Sequence, residues 1–240
     1  MPHKAVKTAV VTGASSGLGQ AVAVKLAQHG WSVVAVARRA DALAETVEIA
    51  KPADERITPM VCDVSDPAAV EKMAAEVLEK FGTVHALVNS AGVNTPDRSF
   101  ANLSLKTFEH VMDINLRGAF LCIEAFLPAM RKQQNGTIVN ISSDSAIQPS
   151  MKAGAAYVAS KMGVRGLTLS LNAEERVNGI RACAIYPGDI DTPLLEKRPT
   201  PPTADARKKM LQPEDVAECV LLAITLPDRA VIEELLIRPR

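Results

Sequence analysis

The chain has 240 residues, 48% of them hydrophobic, enough for the core of a single α/β domain. Its 27 Lys and Arg residues balance 27 Asp and Glu, so no net field recommends a nucleic acid or an anionic membrane as partner. No apolar run of about 18 residues is present, and aromatics make up only 3% with no basic-aromatic surface of the kind that binds RNA.

Short β-branched runs alternate with longer segments of helical period, which predicts repeated βαβ units and a parallel sheet. The opening MPHKAVKTAVV enters a strand at Thr8–Val11 without a signal-peptide cleavage pattern, so a soluble cytoplasmic protein is the expectation. The strand runs into Thr12-Gly13-Ala14-Ser15-Ser16-Gly17-Leu18-Gly19, and a helix, Leu18–His29, begins there with Gly30 as its stop. Glycines at such a junction let the backbone turn tightly and approach a pyrophosphate, whose charge a helix N-terminus favours. The spacing is G-x-x-x-G-x-G, and no Lys-Ser/Thr follows to make a P-loop.

A second strand, Ser32–Ala37, ends in Ala37-Arg38-Arg39. Where a dinucleotide fold that prefers NAD carries an acidic residue for the adenosine ribose, this chain has Ala37, and the arginines suit the 2′-phosphate of NADP(H) over NAD(H). Helix Ala40–Ala50 and strand Thr58–Val61 follow, the strand leading to Asp63-Val64. Helix Pro67–Phe81 starts behind Asp66, and strand Ala86–Val88 leads to Asn89-Ser90-Ala91-Gly92. One long helix is predicted over Leu105–Arg131, then strand Thr137–Ile141 ending in Ser142-Ser143.

The next helix, Ala155–Val177, carries Tyr157 and Lys161 four residues apart and so on one face. A cation beside a phenol favours the phenolate, which predicts a Tyr157 pKa below its ordinary value of about 10 and a general acid/base. Strand Arg181–Ile185 leads to Pro187-Gly188. The segment from Pro193 to Pro213 is too rich in proline for one regular helix and reads as a lid or as a disordered excursion. Helix Pro213–Leu226 and strand Glu234–Ile237 close the chain. The glycine turn and the residues after the next five strands all fall at strand ends, the carboxyl edge where ligands sit in open α/β sheets.

Cys62, Cys122, Cys183 and Cys219 are scattered among apolar runs and read as reduced, mostly buried thiols. His3, His29, His85 and His110 show no metal-ligand spacing, so no metal is expected and all four read as structural or surface residues. No G-x-S-x-G elbow frames a serine nucleophile.

TGASSGLG, NSAG, DINLRG, NISS, YVASK and YPGDIDT, in this order over nearly the whole chain, resemble the short-chain dehydrogenase/reductase family. The resemblance implies a single domain, a doubly wound seven-stranded parallel Rossmann sheet with helices on both faces, and a nicotinamide cofactor. By motif, Gly13, Ser15, Ser16, Gly17, Leu18 and Gly19 would cradle its phosphates, Arg38 and Arg39 would take the 2′-phosphate, and Asp63 and Val64 would flank the adenine. Asn89, Ala91 and Gly92 would lie near the ribose, with Pro187, Gly188, Ile190 and Thr192 toward the nicotinamide, where Thr192 would contact the carboxamide. The implied catalytic set is Asn115, Ser143, Tyr157 and Lys161, with Asn115 anchoring a proton-relay water or only kinking its helix, and Ser142 as an alternative hydroxyl to Ser143. Lys161 would hold the ribose hydroxyls.

Two positions depart from the family pattern: Ser90 stands where a second asparagine is common, and His85 where an acidic residue is common. The ending Glu233-Glu234-Leu235-Leu236-Ile237-Arg238-Pro239 resembles that of NADP-preferring reductases. The substrate pocket is expected from Val93, Asn94, Ser143, Ser145, Ile147, Gln148, Tyr157, Gly188, Leu194 and Leu195, a wall suited to a small carbonyl or alcohol. Within the enzyme class a 3-oxoacyl thioester reductase is an alternative, with Arg131 and Lys132 meeting an acidic carrier protein. Outside that class stands a nucleotide-binding sensor or scaffold without turnover. The family also pairs its long helices, here Leu105–Arg131 and Ala155–Val177, so a homo-oligomer is expected.

Overall fold

The computed structural model describes residues 6–240; His3 lies outside them. Seven parallel strands form one sheet in the order β3-β2-β1-β4-β5-β6-β7. They are β1 Thr8–Thr12, β2 Ser32–Ala37, β3 Ile57–Val61, β4 Ala86–Asn89, β5 Gly136–Ile141, β6 Ile180–Pro187 and β7 Glu234–Ile237. Pro59, which has no N–H to give a ladder, sits in β3 at the sheet edge where the loss is tolerated.

Alternation along the strands builds the two faces. Ala9 and Val11 of β1 join the core under α1 (Gly17–Gln28) and α8 (Pro213–Thr225), whereas Val10 joins the opposite core with Val77 of α3 (Pro67–Phe81) and Phe126 of α5 (Gly118–Gln133). Because both faces are covered, β1 is buried at every residue, and the strand needs apolar side chains in succession rather than in alternation. Helices α2 (Ala40–Ile49) and α6 (Ala155–Glu175) complete the two layers.

The helix expected over Leu105–Arg131 is interrupted. It consists of α4 (Leu105–Met112), a π-helical turn at Asp113–Arg117, and α5. The extra residue in that turn carries Asn115, whose side chain is bound to the chain at Val93. The proline-rich segment is, as expected, not a regular helix: it holds a 3₁₀ turn at Pro193–Lys197 and the short α7 (Ala204–Arg207). Leu211 bridges to Ile190, and Arg207 clamps Asp191 at 2.6 Å, folding the segment back over the strand ends.

The order in which successive strands are added reverses between β1 and β4, and Thr12 pins the two sides there. Its hydroxyl accepts from the Ser90 and Ala91 backbone N–H groups at 3.1 and 3.2 Å. Gly13 follows with φ +69°, and a Cβ there would meet the Ala91 backbone at 2.8 Å. Gly13→Ala is therefore expected to lose about 2 kcal/mol of folding stability, from left-handed strain plus a clash that cannot relax. Urea denaturation of the two proteins measures it.

Candidate active site

The reversal opens a cleft at the carboxyl edge of the sheet. A cavity of about 380 Å³ runs along it, walled by Gly13, Ser15, Ser16, Gly17, Leu18 and Gly19 at one end and by Tyr157, Lys161, Pro187, Gly188, Ile190 and Thr192 at the other. Arg38, Arg39, Asp63 and Val64 line its far side, with Ala91, Gly92 and Val93 on the floor. A second cavity, of about 690 Å³, shares Ser143, Tyr157, Gly188, Ile190, Thr192 and Leu194 with the first. The catalytic candidates Tyr157 and Ser143 thus stand where the two spaces meet.

The first cavity has the features a dinucleotide needs. Helix α1 starts at Ser16 with extended backbone, no side-chain cap and no acidic residue in its first turn, so its leading N–H groups face the cavity uncompensated. Gly19 packs so closely that a Cβ would lie 2.3 Å from the Gly13 carbonyl, which keeps the loop tight against the helix start. Arg38 lies 3.8 Å from Asp63 with both side chains exposed, a loose pair that leaves the guanidinium available. These residues fit a nicotinamide dinucleotide.

Three sequence expectations need correction. Asn89 does not wall the cavity: it is the last residue of β4, 5% exposed, and its amide donates across the sheet to Asn140 at 2.9 Å. Ile147 and Gln148 lie beyond the 3₁₀ turn Asp144–Ala146 on the outer surface, away from both cavity walls. Tyr157 is not driven toward a low pKa. Burial dominates and pushes its phenol up to about 12, against a favourable contact from the Ser143 hydroxyl and the weaker pull of Arg98 and Arg198. Lys161 lies 5.6 Å from the Tyr157 ring centre, but its Nζ donates to the Ile141 carbonyl at 2.7 Å, so its charge is aimed along β5. Burial in turn lowers the Lys161 pKa to about 8.

Of the two serines, Ser142 is taken: its Oγ donates to the Lys161 carbonyl at 2.9 Å, tying α6 to β5. Ser143 faces the cavities. Ser145, expected as a pocket residue, donates to Ser143 Oγ at 2.9 Å, while Ser143 accepts the Ser145 N–H at 3.2 Å; this fixes where the hydroxyl points. Asn115 Oδ1 accepts from Val93 N at 2.7 Å and its Nδ2 donates to Val93 O and to Ser160 Oγ, so the side chain holds the floor beneath Lys161. Arg131, offered as a docking cation, is forked onto Glu175 with Nε at 2.9 Å. His85 is structural, accepting from the Thr8 N–H at 3.0 Å. The cysteines are free, and burial raises Cys62 to about 11 and Cys122 and Cys183 to about 12, leaving inert thiols.

Sequence reasoning missed the charged residues of the second cavity, among them Arg98, Asp189, Arg198 and Arg238. Asp189 and Arg238 lie inside motifs read for the cofactor and the chain ending, and Arg98 and Arg198 sit in loops without a motif, so no spacing brings the four together.

A switch-point cleft with a bare helix start at one end and a tyrosine, serine and lysine at the other defines the dinucleotide-binding class of open α/β proteins. The chain belongs to the short-chain dehydrogenase/reductase family of oxidoreductases: the profile for short chain dehydrogenases matches residues 7–202. It is 34% identical to an uncharacterised oxidoreductase of Staphylococcus epidermidis, over 97% of both chains. It is 33% identical to the 3-oxoacyl-[acyl-carrier-protein] reductase of Thermotoga maritima, over 90% of this chain and 89% of that one. Among solved structures, an alcohol dehydrogenase from the archaeon Thermococcus sibiricus complexed with 5-hydroxy-NADP superposes with a TM-score of 0.86 at 29% identity, over 98% of this chain and 97% of that one. No helix among the described residues is long and apolar enough to cross a membrane.

Proposed function

We propose that this protein is an NADP(H)-dependent oxidoreductase that interconverts a carbonyl and a secondary alcohol, with Tyr157 as general acid/base. The observation that carries it is the shared wall. Tyr157 and Ser143 border both a dinucleotide-shaped cleft and a second space large enough for an organic substrate. When bound, the cofactor supplies or accepts the hydride. Ser15, Ser16, Gly17, Leu18 and Gly19 would hold its pyrophosphate, Arg38 and Arg39 its 2′-phosphate, Asp63 and Val64 its adenine, Lys161 its ribose hydroxyls and Thr192 its carboxamide. In reduction, Tyr157 gives its proton to the carbonyl oxygen, which Ser143 holds by a hydrogen bond, and Lys161, anchored on Ile141 with its amine 5.6 Å from the Tyr157 ring centre, adds a more distant positive charge as the phenolate forms. The Thermococcus sibiricus relative, complexed with an NADP derivative, supports the cofactor choice. Tighter binding of NADPH than NADH, and NADPH oxidation on adding a ketone, test the reading; binding of neither cofactor overturns it. The Thermotoga maritima relative favours 3-oxoacyl thioesters as a substrate class; here, though, Arg131 is engaged by Glu175, which leaves Lys132 alone to meet a carrier.

The pH profile follows from the two shifts. Tyr157, raised to about 12, stays protonated through neutrality, whereas Lys161, lowered to about 8, loses its charge as the pH rises past that value. For reduction, kcat/KM for NADPH is expected to be flat below pH about 8 and to fall above it, a limb that Lys161→Met abolishes together with most of the activity. Folding responds in the opposite sense. Between about 8 and the ordinary 10.5 the unfolded chain still holds the lysine proton that the folded one has released, so this group's contribution makes stability rise with pH.

The family habit of pairing long helices suits α5 and α6, which leave Phe120, Met162 and Leu169 exposed at 45%, 41% and 39%. A dimer or larger assembly is expected by light scattering, and a monomer at micromolar concentration contradicts it.

A further inference from the structure

The second cavity is out of charge balance in a chain that is neutral as a whole. Arg98, Lys152, Arg198 and Arg238 line it, against Asp144 and Asp189. Two of the cations are matched: Arg198 pairs with Asp189, and Arg238 with Asp144 at 3.4 Å. Arg98 is not. It is 6% exposed, and its guanidinium donates only to backbone carbonyls, those of Thr95, Lys152 and Lys197. Among the described residues no carboxylate reaches it. Arg198 lies near enough to disfavour its charge, and both arginines act on Tyr157.

A buried cation with a like charge beside it and no counter-ion is costly unless something in the working complex supplies the anion. Three carbonyl dipoles offset part of that cost, and with five donor N–H groups against three bonds the guanidinium keeps donors to offer. Lys152 is also without a carboxylate among the described residues but is exposed to water, so the buried deficit is the single charge of Arg98, with Asp189 answering Arg198 and Asp144 answering Arg238. Resting on the redox reading above, we infer that the substrate carries one carboxylate, seated against Arg98 and flanked by Arg198, with its carbonyl or hydroxyl carbon directed to Tyr157. A phosphate ester is disfavoured because its second charge would find no further unpaired buried cation in this cavity. Arg98 also links three segments around the space: its own loop, whose carbonyl accepts from Ala155 N at the start of α6, the strand-end loop through Lys152, and the proline-rich cover through Lys197. Anion binding at Arg98 would thereby be felt at the helix that carries Tyr157 and at the cover.

The test uses short 2-oxo and 3-oxo carboxylates beside their methyl esters, with NADPH, and a phosphorylated ketone beside its free alcohol. Wild type is expected to favour each acid over its ester by about 10- to 100-fold in kcat/KM, the scale of a charge-assisted hydrogen bond. Arg98→Met should collapse that ratio toward one, Arg98→Lys should restore part of it, and Arg198→Gln should lower it. The ratio is read within each protein, so a loosened cover, which slows acid and ester alike, does not imitate the effect. Equal use of acid and ester by wild type, a ratio unchanged in both Arg98→Met and Arg198→Gln, or preference for the phosphate ester would overturn the carboxylate assignment. Calorimetric titration of the acids separates the two ideas: Arg98-dependent binding without turnover keeps the anion site and defeats the redox reading, whereas no binding of any acid defeats the site.

Discussion

A Tyr157→Phe protein is expected to bind NADPH as wild type does while its turnover falls by about 10²–10⁴-fold, the span of a lost general acid. The substitution removes one oxygen from a ring half-enclosed between the two cavities and leaves its volume in place, so neither the fold nor the cofactor cleft has reason to change. What is lost is the proton. Burial holds the phenol at about 12, so at neutral pH the tyrosine is a loaded donor, and the Ser143 hydroxyl beside it favours the phenolate that forms when the proton leaves. Phenylalanine offers neither proton nor acceptor, and Ser143 alone can polarise a carbonyl but not protonate it. Single-turnover kinetics with cofactor binding measured in parallel check this, and full turnover in the variant would remove Tyr157 from the mechanism.

Arg38→Ala is expected to weaken NADPH binding by about 10- to 100-fold and to leave NADH binding nearly unchanged, the magnitude of one or two charge-assisted hydrogen bonds to a phosphate. Among the described residues its one ion pair is the 3.8 Å contact with Asp63, exposed on both sides, so the substitution should cost little stability. Ala37 offers no carboxylate to hold the bare ribose hydroxyls of NAD, and removing Arg38 therefore lowers selectivity without creating a new preference. Arg39, on the same cavity wall, accounts for whatever discrimination remains. Fluorescence titration of both cofactors decides it; selectivity for NADPH that survives in Arg38→Ala places 2′-phosphate recognition elsewhere.

The long helix shows where reading the chain stopped. Its apolar period runs through residues 105–131 without a break, yet the turn at Asp113–Arg117 is π-helical because Asn115 binds both the N–H and the carbonyl of Val93, in the loop after β4. No local propensity encodes that. Tyr157 and Lys161 show a different limit. Four-residue spacing correctly puts both side chains on one face of α6, but it does not say where the amine points, and Ile141 of β5 claims it. The expected depression of the tyrosine pKa failed for that reason, with burial as the larger effect.

The sequence by itself determined what depends on near neighbours: seven strands by their β-branched runs, the helices between them, the glycine turn at the start of α1, Ala37-Arg38-Arg39 after β2, and the Tyr–Lys face. Each is written in spacings of a few residues, which backbone geometry converts directly into position. Only the tertiary structure decided that the Ser142 hydroxyl is tied to Lys161, that Asn89 looks across the sheet, and that Arg98 sits buried with no carboxylate among the described residues. Arg98 meets Lys197 across 99 residues of chain. Desolvation and charge balance are properties of such an assembled neighbourhood and have no period to read.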